Sequence, residues 1–327
     1  MLYTRSELYV RREEYFKALG SGSVVEALKS VPKEFTAKIL ESLGGGVVSL
    51  NSVLALLESF HVELLNELSS QLYVRDFALH VNGILSAYST TIALLGYEKG
   101  LKPVSYLPGI SPGVIEDYAS GRRPSAPLNA YSERLLSAFV DHKGIRVEDV
   151  LGVFDGIKRE LDGVLNYGER LVVGLVHDLV ALRLCTVSGK FRDAPWRPML
   201  IDQRDLLAIC RMATADLYSA VEALRKTGPL ITALKKARPV MSIASSIAVD
   251  ALRVISGDEV FDFLVAVAPA YLSPLVLRAE ARSLFLKDFF ATLRQLALLR
   301  LALTLVHSGD EELKSEFKSF IERWVRP

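Results

Sequence analysis

The chain has 327 residues, of which 50% are hydrophobic and 24% are charged. Its 39 basic and 38 acidic side chains leave a formal net charge of +1, which argues against a broad electrostatic footprint for nucleic acid. The charges are spread along the chain and do not form a long tail, so we expect no extended disordered segment. Composition therefore indicates a folded protein with a large apolar core and no nucleic-acid partner.

Apolar residues recur almost throughout with the period of an α-helix, and the period of a strand is nearly absent. The pattern predicts helices over residues 5–19, 23–30, 33–43, 49–73, 75–97, 111–121, 129–142, 146–165, 168–187, 202–226, 229–236, 240–256, 258–267, 275–306 and 309–325. In the last of these, Ser308 and Glu311 have the spacing of a capping box before a clear apolar stripe. We therefore expect an all-α fold.

Glycine and proline supply the breaks between these helices. Residues 100–127 hold five prolines and form the longest irregular connection, and Pro269 and Pro274 predict a break between two later helices. We divide the chain into three helical lobes, residues 1–124, 125–238 and 239–327. No linker is rich enough in glycine and serine to separate them, so we expect the lobes to be in contact.

The most apolar long segment, residues 289–306, raises the question of a membrane span. It carries Arg294 and Arg300, and each arginine near the centre of a membrane helix costs about 2.5–3.5 kcal/mol on insertion scales. We therefore expect a helix buried inside protein with two charges at its margin. The first 20 residues contain several charges and no apolar run, so we expect no signal peptide.

The chain has two cysteines, Cys185 and Cys210, which lie 25 positions apart. In a chain of this length, such a pair is more often two small core residues than a disulfide bridge. This expectation and the missing signal peptide favour a cytoplasmic location.

No segment shows a convincing catalytic or metal-binding motif. The five histidines lack ligand spacing, and the Glu-x-x-His pattern of Glu58 and His61 has no second copy on another helix, as a di-iron bundle would need. The neighbours His177 and Asp178 could form a general base and its orienting acid, but we expect a histidine at the surface or the helix margin. We therefore predict no catalytic residue, no metal and no cofactor.

The most distinctive stretch is IDQRDLL at residues 201–207, followed by Arg211. The carboxyl group of Asp202 can cap the start of a helix, and Asp205 suits the positive end of the helix dipole. Arg211 points away from the apolar face of that helix. A weaker copy of this arrangement begins at Asn82, ahead of another apolar run.

This stretch resembles the signature of the C subunit of archaeal-type ATP synthases, a family that includes the d subunit of vacuolar-type ATPases. The Leu-Pro-Gly turn at 107–109 and the run RREEYF at 11–16 resemble further features of that family. Asp205 stands where the family pattern has asparagine, and Tyr88 stands where the copy after Asn82 would have arginine. A third stretch keeps the six-residue step from Asp288 to Arg294, and of the three the one at Asp202 matches best.

The resemblance implies a pseudo-threefold, funnel-like arrangement of three helical lobes and a non-catalytic rotor adaptor of an A-type or V-type ATPase. Its partners would be the central-stalk coiled-coil subunit and the membrane rotor ring, and it would be peripheral to the membrane through those proteins. Asp202, Asp205, Arg211 and Asn82 would line a partner socket or cap helices there. Two alternatives stay open: a free-standing all-α scaffold that binds a helix or peptide, and an all-α enzyme with residues assembled from distant segments.

Overall fold

The computed structural model describes residues 9–44, 48–99, 107–109, 112–122, 128–226, 237–257 and 259–325. Helices make up 78% of these residues and none of them forms a strand, which confirms the all-α prediction. The α-helices are α1 (Arg12–Leu19), α2 (Val24–Lys29), α3 (Glu34–Leu43), α4 (Leu50–Ser69), α5 (Arg75–Lys99), α6 (Pro112–Ala119), α7 (Ala130–His142), α8 (Val147–Asp162), α9 (Tyr167–Val187), α10 (Gln203–Ala213), α11 (Leu217–Ala223), α12 (Ala237–Ala251), α13 (Glu259–Val276), α14 (Ala281–Ser308) and α15 (Glu311–Trp324).

Several predicted boundaries differ from the observed ones. The helix expected over 202–226 is divided, because Asp216 accepts a hydrogen bond from the Ser219 amide at 3.2 Å and starts α11 anew. The expected capping box at Ser308 is wrong, since α14 runs through that residue and Asp310 caps α15 instead. The helix predicted over 229–236 lies outside the described residues.

The break predicted at Pro269 and Pro274 is also wrong, because both prolines lie inside α13. A proline inside a helix costs about 3 kcal/mol, but 13 of the 18 residues of α13, Pro269 among them, are buried against α9, α12 and α14, and Pro274 lies exposed in the last turn of the helix. Tertiary packing therefore outweighs the local preference. The chain turns only after Val276, and α14 then packs back against α13.

Three long helices, α5, α9 and α14, run in the same direction through the core. At their first turns, Arg282 of α14 contacts both Phe77 of α5 and Glu169 of α9. At the far ends, Lys99 Nζ donates to the Val187 carbonyl oxygen at 3.3 Å, so α5 and α9 stay aligned over their full length. Helix α13 packs antiparallel between α9 and α14.

The remaining helices cover this centre. Helices α1, α2 and α4 pack on α14, helices α7 and α8 pack on α5, and α10 packs on α9. One continuous apolar core runs from Val10 to Val325 and crosses the boundaries predicted for the three lobes. Those boundaries and the pseudo-threefold arrangement stay predictions.

Three of the helices that the structure describes are long and apolar enough to cross a membrane by length and composition: α5, α13 and α14. In each, most of the apolar window is buried inside the protein, from 72% in α5 and α13 to 78% in α14. Arg300, one of the two charges inside the segment 289–306, is partly buried and pairs with Glu58 of α4 at 3.1 Å.

The expectation of two unpaired cysteines is wrong, since Cys185 of α9 and Cys210 of α10 form a disulfide. Their Cα atoms lie 5.5 Å apart, which is within the usual range for a bridge. The two residues are 25 positions apart. A spacing of that length does not show that the chain turns between them and packs α10 against α9, so the bridge could not be predicted from it. Both cysteines are fully buried.

Candidate functional site

Asp202, Asp205 and Arg211 lie directly before or within α10, and each has a local role there. Asp202 Oδ1 accepts a hydrogen bond from the Arg204 amide at 2.8 Å, which confirms the predicted helix cap. Asp205 lies in the first turn, where its charge suits the helix dipole. Arg211 forms an ion pair with Asp193 at 2.8 Å, and both side chains are more than 60% exposed.

The chain just before α10 is held to α9 by Asp178, a fully buried carboxylate. Its oxygens accept from the amides of Met199 at 2.7 Å, Leu200 at 2.8 Å and Ile201 at 3.1 Å. His177 is also buried, so the expectation of a histidine at the surface or helix margin is wrong. Because three backbone amides donate to its carboxylate, Asp178 fixes the position of the segment that leads into α10.

Asn82 lies elsewhere, on α5, beside a cavity of about 190 Å³ between α4, α5, α7 and α14. Amides and hydroxyls supply the polar part of its lining, from Asn66, Asn82, Ser86, Ser89, Asn129 and Ser132. Leucines, a valine and the Pro108–Gly109 segment supply the rest. Helix α10 packs on α9 and α11, so the structure does not bring Asn82 together with Asp202, Asp205 and Arg211.

A different set of residues meets where α5, α9 and α14 begin. Arg282, in the first turn of α14, donates to the Val164 carbonyl oxygen at 2.9 Å and pairs with Glu169 of α9 at 3.5 Å. Its guanidinium carbon also lies 5.3 Å from the ring centroid of Phe77 in α5. The Phe77 ring meets Phe285 of α14 edge to face, with centroids 6.1 Å apart. One arginine thus joins the starts of three long helices.

Large apolar side chains are exposed around this junction. Those near the start of α5 are Leu72, Tyr73 and Leu79, those near the start of α9 are Val164 and Tyr167, and Leu275 lies near the end of α13. We call this end of the molecule the mouth: it consists of the helix ends that meet at Arg282 and the six exposed side chains that lie in or next to those ends. A cluster of exposed apolar groups is typical of a surface that binds another protein.

A cavity of about 340 Å³ opens within the mouth, between the turn before α9 and the turn before α14. Its lining consists of Asn166, Tyr167, Gly168, Val276, Arg278 and Glu280. Asn166 Nδ2 donates to Glu280 Oε2 at 3.3 Å and so joins the two turns. Asn166 also caps α9 in a reciprocal capping box with Glu169, which fixes the wall of the cavity.

Deeper in the core, a polar contact joins helices from all three predicted lobes. Arg183 of α9 donates to Asp262 Oδ2 of α13 at 3.0 Å, and the Tyr88 hydroxyl of α5 donates to Asp262 Oδ1. Burial and the Asp262 carboxylate raise the pKa of Tyr88 well above its ordinary value, so the hydroxyl stays protonated. The contact holds α5, α9 and α13 in a fixed register.

The Glu-x-x-His pair makes only structural contacts. Glu58 Oε1 accepts from the Gly109 amide at 2.8 Å, and its other oxygen pairs with Arg300. His61 bonds to the Leu57 carbonyl oxygen and to Gln295. Among the residues that the structure describes, no three His, Cys, Asp or Glu side chains are grouped so that they could hold a metal ion.

Sequence reasoning missed the mouth. Its central residue, Arg282, follows a turn that has no recognisable sequence motif. Hydropathy also does not distinguish an exposed leucine such as Leu275 from a buried one. One signal was available, since Asn166 and Glu169 have capping-box spacing at the start of a long apolar helix. That signal marks where α9 begins and does not reveal that two other helices begin beside it.

No protein-family model, curated protein or solved structure matches the chain. The inference of function therefore depends on the geometry described above and on the resemblance in the sequence.

Proposed function

We propose that this protein is a non-catalytic rotor adaptor of an A-type or V-type ATPase, and that its mouth receives the foot of the central-stalk coiled coil. The observation that carries the proposal is the meeting of the first turns of α5, α9 and α14 around Arg282. The resemblance of residues 201–211 to the C and d subunits supplies the identity of the complex. The membrane rotor ring would bind elsewhere on the protein, which would be peripheral to the membrane. A cytoplasmic location is part of the proposal through the resemblance, because the disulfide removes the support that unpaired cysteines would have given.

The mouth has the properties that a helical partner requires. The end of a coiled coil presents apolar side chains at regular spacing, and exposed leucine, valine and tyrosine side chains at the mouth can bury them. Each of the three helices that begin there presents the positive end of its dipole, which favours acidic groups on the partner.

The interior is suited to transmitting torque. The Tyr88, Arg183 and Asp262 contact crosses three long helices, and the core is continuous from Val10 to Val325. Because close-packed interiors deform little, a twisting force applied at the mouth would reach the far end of α5, α9 and α14. A rotor adaptor needs this mechanical continuity.

The proposal is tested by affinity purification from native membranes with the tagged chain. We expect recovery of the central-stalk subunit, ring subunits and nucleotide-binding head. The Leu275→Asp variant should lose them, because a charge replaces an exposed apolar side chain at the mouth. Tyr218→Asp, at a residue of similar exposure on α11, is the matched control and should retain them (51% against 55% exposed).

Recovery of the tagged chain without ATPase subunits would contradict the proposal. Recovery of a different helical partner, lost in Leu275→Asp, would favour the free-standing scaffold over the rotor adaptor. Equal loss in both variants would show that the mouth has no special part in binding.

A further inference from the structure

The cavity beside Asn82 has a lining without charge. It lies where α4, α5, α7 and α14 meet, and no acidic or basic side chain is among the described residues that line it. Its apolar floor consists of the buried side chains of Leu65, Leu85 and Leu293. Its volume of about 190 Å³ corresponds to about six water molecules of the liquid, so one small organic molecule fits.

Three of the polar side chains at this cavity are committed to the protein itself. Ser89 Oγ donates to the Pro108 carbonyl oxygen at 2.5 Å, and Ser132 Oγ accepts from the Thr90 hydroxyl at 2.9 Å. Asn129 caps the start of α7. These contacts fix the wall that α5 and α7 share.

The other three polar side chains are available to a ligand. Within the part of the chain that the structure describes, the side chains of Asn66, Asn82 and Ser86 make no hydrogen bond to protein. Asn66 on α4 is exposed, and Asn82 and Ser86 on α5 are half-buried, so a molecule in solution can reach all three. Asn82 and Ser86 are four positions apart and share one face of α5. The cavity thus offers two carboxamides and a hydroxyl beside an apolar floor.

This combination selects both the charge and the polarity of a ligand. A charged group would lose its hydration in the cavity without gaining a counter-charge. A purely apolar molecule would strip water from the three side chains and leave them without partners. A ligand carboxamide meets both conditions, because it can donate to the side-chain oxygen of an asparagine and accept from its nitrogen.

We propose that this cavity binds a carboxamide on a short alkyl chain, with the carboxamide paired to Asn82 and the chain against the leucines. Asn66 and Ser86 supply further hydrogen bonds at the open side. The group can belong to a free small molecule or to a glutamine side chain of another protein, since the chemistry is the same. The inference goes beyond the adaptor role and does not depend on it.

The test uses the purified full chain and butyramide, which is a carboxamide on a three-carbon chain. In ligand-observed NMR titrations we expect saturable binding with a dissociation constant on the order of 1–10 mM, the range for a ligand of about six non-hydrogen atoms. Butyrate and butylammonium have alkyl chains of similar length and charged heads. They should bind at least about tenfold more weakly, because the cavity offers them no counter-charge.

A charge introduced at Asn82 should reverse this preference. Asn82→Asp keeps the shape of the side chain and replaces its donor with a charge, so it should weaken butyramide at least about fivefold and strengthen butylammonium by a similar factor. Asn51→Asp makes the same change at an exposed asparagine of α4 outside the cavity lining, and it should leave both affinities unchanged. Ser86→Phe should block butyramide by filling the cavity, with circular dichroism as the check that the variant folds.

A further probe distinguishes the two sources of the carboxamide. N-acetylglutamine methylamide carries the group on a peptide backbone. Binding at least as tight as that of butyramide would assign the cavity to a glutamine side chain of another protein, and weaker binding would assign it to a free small molecule.

Absence of saturable butyramide binding would overturn the inference. Equal binding of butyramide and its charged analogues would also overturn it, and so would equal binding of butyramide by the wild-type chain and Asn82→Asp. None of these measurements involves ATPase subunits, so the cavity and the adaptor role can fail separately.

Discussion

At the scale of single residues, buried polar side chains fix how the helices meet. His61 is the clearest case, because its Nδ1 lies 2.7 Å from the Leu57 carbonyl oxygen and its Nε2 lies 3.2 Å from Gln295 Nε2. A carbonyl oxygen can only accept, so Nδ1 carries the proton and Nε2 accepts from the Gln295 amide. Gln295 Oε1 then accepts from the Val10 amide at 2.8 Å, which ties the N-terminal segment to α14.

This contact predicts a loss of stability in acid. Burial lowers the pKa of His61 from 6.5 to about 4, so the folded state favours the neutral ring. Protonation of the unfolded state therefore removes stability as the pH falls below 6.5, by about 2 kcal/mol at pH 5, and the loss is complete only below about pH 4.

The effect is measured by urea unfolding at several pH values for the wild-type chain and His61→Gln. The free energy of unfolding should fall more steeply with acid in the wild-type chain, since glutamine does not titrate. Parallel pH profiles for the two proteins would contradict this assignment. Neither the depressed pKa nor the contact with a residue 234 positions away can be predicted from sequence.

At the scale of helices and turns, local pattern predicts where most helices lie and fails where packing decides. The period of apolar residues gave α5, α9 and α15 within a few residues. It failed at α13, where Pro269 is buried in a helix packed against α9, α12 and α14, and Pro274 lies exposed in the last turn. Neighbouring positions in the sequence cannot show how completely a helix will be covered.

Two glycines allow the packing of α9 on α13 to be tested. A Cβ atom at Gly168 would lie 2.4 Å from the Val276 carbonyl oxygen, whereas one at Gly156 of α8 would have nothing within 4 Å. We expect Gly168→Ala to destabilise the protein by about 1–3 kcal/mol through overpacking. Gly156→Ala should stabilise it by about 0.5–1 kcal/mol through helix propensity.

Thermal unfolding of the two variants gives the comparison directly. Changes of the same sign and size would mean that α9 and α13 are not in close contact at this point. The same result would remove the geometric basis of the cavity in the mouth, since Gly168 and Val276 form part of its wall.

The disulfide makes a second prediction at this scale. A bridge closing a loop of 25 residues stabilises a protein by about 3.5 kcal/mol on the chain-entropy model, because it restricts the unfolded chain. Reductant should therefore lower the free energy of unfolding by about that amount in the wild-type chain. It should have no effect on a Cys185→Ala, Cys210→Ala double variant.

A wild-type unfolding curve that does not respond to reductant would contradict this prediction, provided that thiol titration confirms reduction of the bridge. The expected loss should appear first in α10, because the bridge is the covalent link between α10 and α9. Hydrogen exchange of the α10 amides under reducing conditions would detect it.

At the scale of the whole molecule, the residues predicted from sequence and the residues brought together by the fold differ. Asp202 and Arg211 are explained largely by local contacts, a helix cap and an exposed ion pair. The mouth instead gathers Phe77, Glu169 and Arg282 from positions about 100 residues apart. The helical period of the apolar residues does not show which helices begin side by side. The meeting of Phe77, Glu169 and Arg282 could therefore not be predicted from the sequence.

The proposed adaptor role requires that the mouth bind the foot of a central-stalk coiled coil. The most direct test places a photo-crosslinking amino acid at Tyr167 in the mouth or at Tyr218 on α11, in protein assembled with native membranes. Both tyrosines are well exposed, so both positions can report a neighbour.

We predict that the crosslinker at position 167 joins the chain to the coiled-coil stalk subunit of the ATPase, and that the one at position 218 does not. Mass spectrometry of the crosslinked band would identify the partner. A stalk crosslink from position 218 and none from position 167, or no stalk crosslink from either, would contradict the account.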